Sequence, residues 1–233
     1  KFDPFREHAG RTQGAVRHLE SGVARRGIAR ASAVREAVGD GVRLYFDLHG
    51  ALSAGDVLRW VPALCELNPE FVEEPTDTLE PGATEVVRRG LPSQTPLAGG
   101  ERLYLRQHFL PYLEGRLFQT IQPDVCLAGG ITECRKIGVM ADAYQIQLQL
   151  HNCAGPVCTA ASMHVMAAAV NGVVQEWFPF WEDGRYEIVD EALEFLARDG
   201  EFDIGAHLAR PGLGVRLNLG YLTKFPMYEV KEG

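Results

Sequence analysis

Apolar runs and amphipathic stripes alternate along this chain. Strand-like runs occur at "VRLYFDLHG" (42–50), "NPEFVEEP" (68–75), "TPLAGGE" (95–101), "LFQTIQPD" (117–124), "IQLQLHN" (146–152) and "GVVQEW" (172–177). Helical patterns fall between them. "SAGDVLRWVPALCEL" (53–67) opens on Ser53, a good N-cap, and sets Val57, Leu58, Val61 and Leu64 on one stripe. "ITECRKIGVMADAY" (131–144) reads likewise, and the Ala-rich "TAASMHVMAAAV" (159–170) is apolar nearly all round, so it should pack deeply. Strands alternating with helices predict a parallel sheet and an α/β fold.

The polar residues that end these runs recur regularly. Asp47, Glu73, Glu101, Asp124, His151 and Glu176 follow one another at intervals of about 25 residues, the length of one βα unit. Each unit therefore delivers one ionisable group at its strand's C-terminal end. In a (β/α)-barrel those ends meet at one mouth, where active sites lie. An open doubly wound sheet would usually carry an early Gly-rich phosphate turn, and no G-x-G-x-x-G is present. In "VRLYFDLHG", Asp47 and His49 are two apart, so on a strand both would leave the same face.

Composition narrows the function classes. Of 233 residues 46% are hydrophobic and 23% charged, enough for one large core. The net charge of -8 and the lack of a Lys/Arg block argue against a nucleic-acid or polybasic membrane surface. No apolar run reaches the roughly 20 residues that span a bilayer. Five cysteines, an odd number without C-x-x-C spacing, read as buried thiols of a reducing cytoplasm. Cys153, beside His151, is the one conceivable nucleophile among them, with nothing around it that resembles a thiol-based site.

Asp47, Glu73 and Glu101 come from consecutive units. Three converging carboxylates repel one another unless a cation joins them, and oxygen-only ligands suit Mg²⁺. Taken singly, each acid could instead cap the following helix. Asp124 and His151 come from neighbouring units, and a carboxylate on an imidazole fixes its tautomer and strengthens it as a base. His49 lies across the mouth, where an acid is wanted, and Glu176 could hydrogen-bond an oxygen that gains charge. Such parts suit removal of a proton beside a carboxylate, with a divalent cation to offset the growing charge.

In order and spacing, "DLHG", "EEP", "GERLY", "IQPD", "AGGITECRKI" and "HNCAGP", followed by "RPGLGVRLN" (210–218), resemble the mandelate racemase subgroup of the enolase superfamily, nearest its acid-sugar dehydratases of the galactonate dehydratase type. The resemblance implies a (β/α)-barrel with Mg²⁺ on Asp47, Glu73 and Glu101. It implies that the Asp124–His151 dyad takes the C2 proton of an aldonate, that His49 protonates the leaving 3-hydroxyl, and that Glu176 supports the enediolate. Lys1 and Arg102 would touch the substrate. The product would be a 2-keto-3-deoxy sugar acid, the partner a small-molecule substrate, the protein a cytoplasmic homo-oligomer. Where racemases carry K-x-K, this chain has "KFDP", and Asp3 replaces the second, opposite-face Lys. That departure disfavours two-base racemisation. The family's N-terminal capping domain and first barrel strand have no counterpart here, so the expectation is barrel strands 2 to 8 over residues 1–176 and a C-terminal segment over 177–233. Trp177, Phe178, Phe180 and Trp181 wall the pocket or pack as core. A racemase or epimerase using the same enediolate, and a non-catalytic truncated barrel, remain as alternatives.

Overall fold

Five short strands form one parallel sheet in chain order: β1 (Tyr45–Asp47), β2 (Phe71–Glu73), β3 (Leu97–Gly99), β4 (Thr120–Ile121) and β5 (Gln147–Leu148). This is a computed structural model, and it describes residues 1–6, 18–178, 184, 186–193 and 197–225. Single parallel bridges extend the sheet at both edges, Phe2 with Phe46 and Leu148 with Gly172. Helices fill every interval: α1 (Ser21–Val38), α2 (Ala54–Trp60), α3 (Pro62–Cys65), α4 (Pro81–Gly90), α5 (Leu105–Glu114), α6 (Gly130–Ala143) and α7 (Pro156–Ala167). The alternation is as expected, and parallel strands in this order require such crossovers.

Strand side chains and helix stripes share one core. Phe46, Val72, Leu97, Ile121 and Leu148 are completely buried. Helix α5 meets them with Phe109, Tyr112 and Leu113, and α6 with Cys134, Ile137 and Ala141, at the i, i+3, i+4 spacing of one face. Each fully buried large apolar side chain contributes about 1.5–3 kcal/mol. Ser53 caps α2 by accepting the Asp56 amide at 3.1 Å. The stripe predicted over 53–67 is broken in two, because Pro62 takes the first position of a new helix. The helix expected at 159–170 starts earlier, at Pro156, and ends at Ala167.

The strands are shorter than the apolar runs suggest. Only Asp47 and Glu73 lie on strands, paired directly across β1 and β2. Glu101 follows β3 in a turn, Asp124 and His151 pair in an isolated bridge beyond β4 and β5, and Glu176 follows the Gly172 bridge in irregular chain. His49 corrects the strand-face argument: it sits at φ 53°, in the left-handed region, after β1 has ended.

After Glu176 the described chain forms a 3₁₀ turn (Tyr186–Ile188), α8 (Ile204–Leu208) and α9 (Leu219–Leu222). It docks on α7 through His207, whose ring lies 5.5 Å from that of His164. Trp177 and Phe178 are each 40% exposed, so neither packs as core. Phe180 and Trp181 lie outside the described residues. Among the described residues no helix is long and apolar enough to cross a membrane.

Candidate active site

The strand ends carry their acids through a repeated local device. The Asp47 carboxylate accepts the His49 amide at 3.1 Å, and the Asp124 carboxylate accepts the Cys126 amide at 2.6 Å. An Asp bonded to the amide two residues on is a turn former. Each aspartate therefore ends its strand, turns the chain and keeps one oxygen for the mouth.

On one side of the mouth carboxylates gather around a lysine. Lys1 Nζ lies 2.6 Å from Glu73 and 3.2 Å from Asp47, and it also contacts Glu176. Burial opposes the charge on Lys1, but Glu73, Asp47 and Glu176 together hold it protonated. Burial likewise opposes ionisation of Asp47, yet Lys1 and His49 keep its carboxyl below the usual range. Glu73 goes the other way. Burial and the neighbouring Asp47 raise it to about 8, and its Oε2 is buried without a donor. Lys1, the residue expected to touch substrate, thus sits among three acids of the mouth and neutralises part of their charge.

On the other side stands the dyad. His151 Nδ1 is 2.6 Å from Asp124 Oδ2, and Nε2 faces Glu101 at 3.5 Å. Burial would lower His151, but the bond to Asp124, a contact with Cys153 and the charges of Glu101 and Glu176 raise it to about 11. Glu176 is fixed beside it, since its Oε2 accepts the Asn152 amide at 2.9 Å.

His49 makes a second acid–imidazole pair. Its Nδ1 is 3.2 Å from Asp3, and its Nε2 is 3.5 Å from Asp47. The Asp3 bond, resisted by partial burial and reinforced by Asp47, raises His49 to about 9. The sequence marks Asp3 as the residue that replaces a lysine; its pairing with His49 depends on a contact across 46 positions. Arg102, the other expected substrate contact, donates to the His49 carbonyl at 2.6 Å and so braces that turn.

Glu74, next to Glu73, supports the mouth from behind. It is wholly buried, accepts the Gly100 amide at 2.7 Å and the Thr78 hydroxyl at 3.0 Å, and is raised to about 7 by burial and Glu101. Gly99 permits this close approach, since a Cβ there would lie 3.0 Å from Glu74 Oε1, and Gly100 sits at φ 117°, where a Cβ would lie 2.9 Å from Phe109.

Among the described residues Asp47, Glu73 and Glu101 do not bring ligand atoms within 4.8 Å of one another, whereas His151, Cys153 and Glu176 do. Even so, the donor set fits a hard divalent cation. It is all oxygen, the Glu73 Oε2 lone pairs are unused, and an ammonium already sits between Asp47 and Glu73. The expectation of buried thiols needs correction: Cys134 and Cys158 are buried, but Cys65 and Cys153 are half-buried and Cys126 is exposed.

Four matches to known proteins bear on this arrangement. The family model described as enolase C-terminal domain-like matches residues 2–221. A D-galactonate dehydratase of Variovorax paradoxus is 37% identical over 195 residues, which is 82% of this chain and 50% of that protein. A solved enolase-superfamily member from Salmonella Typhimurium superposes with a TM-score of 0.84 at 30% identity, covering 94% of this chain and 55% of that one. A mandelate racemase/muconate lactonizing enzyme-like protein from Rubrobacter xylanophilus gives 0.78 at 28% identity, covering 91% and 53%. The chain thus spans about half the length of the relatives it matches.

Proposed function

The chain belongs to the enolase C-terminal domain-like family, a (β/α)-barrel fold, and from that premise we propose that the whole protein is a Mg²⁺-dependent hydro-lyase that converts an aldonate to a 2-keto-3-deoxy sugar acid. One observation carries the reading: two imidazoles, each fixed by its own aspartate, stand at a mouth lined by Asp47, Glu73, Glu101 and Glu176.

His151 takes the C2 proton on Nε2 while Asp124 holds Nδ1. This requires the neutral ring, and two of the charges that keep its proton on, Glu101 and Glu176, belong to the same acid cluster. His49 delivers a proton to the 3-hydroxyl, which leaves as water. Its raised pKa of about 9 keeps it charged at neutral pH, the form an acid needs. The resulting enol tautomerises to the ketone. Asp47, Glu73 and Glu101 would hold Mg²⁺, whose charge offsets the second negative charge that builds on the substrate carboxylate. Lys1 and Glu176 flank that carboxylate. The reading also makes the protein a cytoplasmic homo-oligomer with a small-molecule substrate.

Elimination is favoured over racemisation because Asp3, paired with His49, stands where racemases carry the opposite-face Lys, so the second base of a two-base mechanism is missing. Incubating the full-length protein and Mg²⁺ with a panel of aldonates should yield 2-keto-3-deoxy product from at least one. Deuterium entering C2 of recovered substrate without loss of water would favour the epimerase reading instead. Absence of both results across the panel would overturn the assignment.

A further inference from the structure

Behind the dyad, Asp124 also belongs to a cluster with two thiols that the proposed reaction does not use. One ligand atom each from Asp124, Cys126 and Cys158 lies within 4.8 Å of the other two. Asp124 and Cys158 are buried, at 3% and 4% exposure, while Cys126 is open to solvent. The two thiols come from different units, Cys126 from the turn after β4 and Cys158 from the first turn of α7. An open cavity of about 640 Å³, lined by Cys126, Gly129, Pro156, Val157, Cys158 and Ala161 among others, leads to them from outside.

We propose that Asp124, Cys126 and Cys158 form a binding site for a thiophilic divalent cation of the zinc class, separate from the oxygen-only site at Asp47, Glu73 and Glu101. Two sulfurs and one carboxylate are a soft-to-borderline donor set, which zinc and cobalt accept and Mg²⁺ does not. Bonds of about 2.3 Å to sulfur and 2.0 Å to oxygen at tetrahedral angles put neighbouring donors about 3.5–3.8 Å apart. The observed separations, all within 4.8 Å, exceed that by no more than about 1.3 Å. The outer partners are in place as well. Asp124 Oδ1 is anchored by the Cys126 amide at 2.6 Å, and Cys158 Sγ contacts Ser162 Oγ at 4.0 Å. The cavity gives the cation its way in.

The position matters because Asp124 Oδ2 is the oxygen that orients His151. A cation drawing on that carboxylate competes with the imidazole for it. Occupation would therefore slow any reaction that needs the dyad; this consequence alone rests on the function proposed above, and the binding does not.

Cobalt(II) separates the two questions, because thiolate-to-cobalt charge transfer absorbs in the near ultraviolet whether or not the protein turns anything over. Titrating Co²⁺ into the reduced full-length protein at saturating Mg²⁺ should produce that band with one equivalent per chain. Cys126→Ser, at an exposed position that leaves the core intact, should weaken Co²⁺ binding about tenfold or more and cut the band by about half. Cys158→Ser should do the same, and Cys153→Ser should leave the band in place. A missing band, or one undiminished in Cys126→Ser, or one lost in Cys153→Ser, overturns the site. Loss of dehydratase activity on every aldonate leaves this result untouched.

Discussion

The mouth of the barrel and the seat of the C-terminal segment both bury ionisable side chains, but they treat them in opposite ways. At the mouth nearly every such group faces an opposite charge or a hydrogen-bond partner: Lys1 meets three acids, His151 meets Asp124, His49 meets Asp3. Under the C-terminal segment His207 is buried with both ring nitrogens unpartnered, beside His164, whose Nε2 is also unpartnered. Paired buried charges are retained in their charged form and can move protons. An unpartnered buried imidazole is pushed toward neutrality and makes only packing contacts, so its protonation loosens what it holds. The first region is built for chemistry, the second for attachment.

That contrast breaks most visibly if the dyad proves dispensable. His151→Asn, which keeps a polar side chain but no base, should cut turnover by about 10³-fold or more with little change in KM. A loss below tenfold would mean that the paired imidazole is structural. His49→Gln sharpens the assignment of roles. It should slow dehydration by about 10²-fold while C2–H exchange with deuterated solvent continues, since the base is still present. Loss of exchange and dehydration together would place His49 in the proton-abstraction step.

The sequence made the mouth legible because the spacing of tip residues survives even when the strands do not. Asp47, Glu73, Glu101, Asp124 and His151 reach it although the strands are only two or three residues long and three of these side chains lie beyond a named strand. What periodicity could not give was the turn that brings each group round. His49 returns toward Asp47 from a left-handed residue, a geometry fixed by one amide–carboxylate bond and invisible in an apolar–polar pattern. Helix α1 was missed for a related reason. Its buried face is Ala24, Gly27 and Ala31, small residues that carry almost no hydrophobic signal yet let the helix close on Phe5. Contacts distant in sequence, such as Asp3 with His49 or Cys126 with Cys158, require the fold itself.

Metal removal tests whether the unpartnered Glu73 Oε2 marks a cation. With Glu73 raised to about 8 it is mostly protonated at pH 7 when no metal is bound, so Glu73→Gln should barely alter the melting temperature of the metal-free protein. The wild type should gain about 2.7 kcal/mol at Mg²⁺ a hundredfold above its Kd, several degrees for a chain of this size, and the variant should gain almost none. An undiminished shift in the variant would remove Glu73 from the metal site. On the attachment side, Gly214→Ala should loosen the C-terminal segment by about 2 kcal/mol. Gly214 sits at φ 74°, and an added Cβ would lie 2.2 Å from the His207 ring. Faster proteolysis within 197–225, with the barrel still protected, is the expected readout; unchanged cleavage would show that the His207 ring can move aside.

The smallest effect is the most specific to the unpartnered pair. Burial and the neighbouring His164 lower the pKa of His207 against the opposing pull of the Leu213 backbone, with Arg210 adding to the repulsion. In the unfolded or undocked chain the same ring titrates near 6.5. Between those two values the undocked state takes up a proton that the docked state refuses, so attachment is complete above about pH 7.5 and weakens as pH falls through the undocked value. Proteolysis of the 197–225 region should accordingly accelerate from pH 7.5 to 5.5 in the wild type. His207→Gln, which cannot charge, should flatten that slope even if its absolute stability changes. The dyad predicts no such loss in that window, because His151 stays charged well above it. An identical slope in wild type and variant would transfer the pH sensitivity to other groups and erase the distinction between a region that holds charge and one that excludes it.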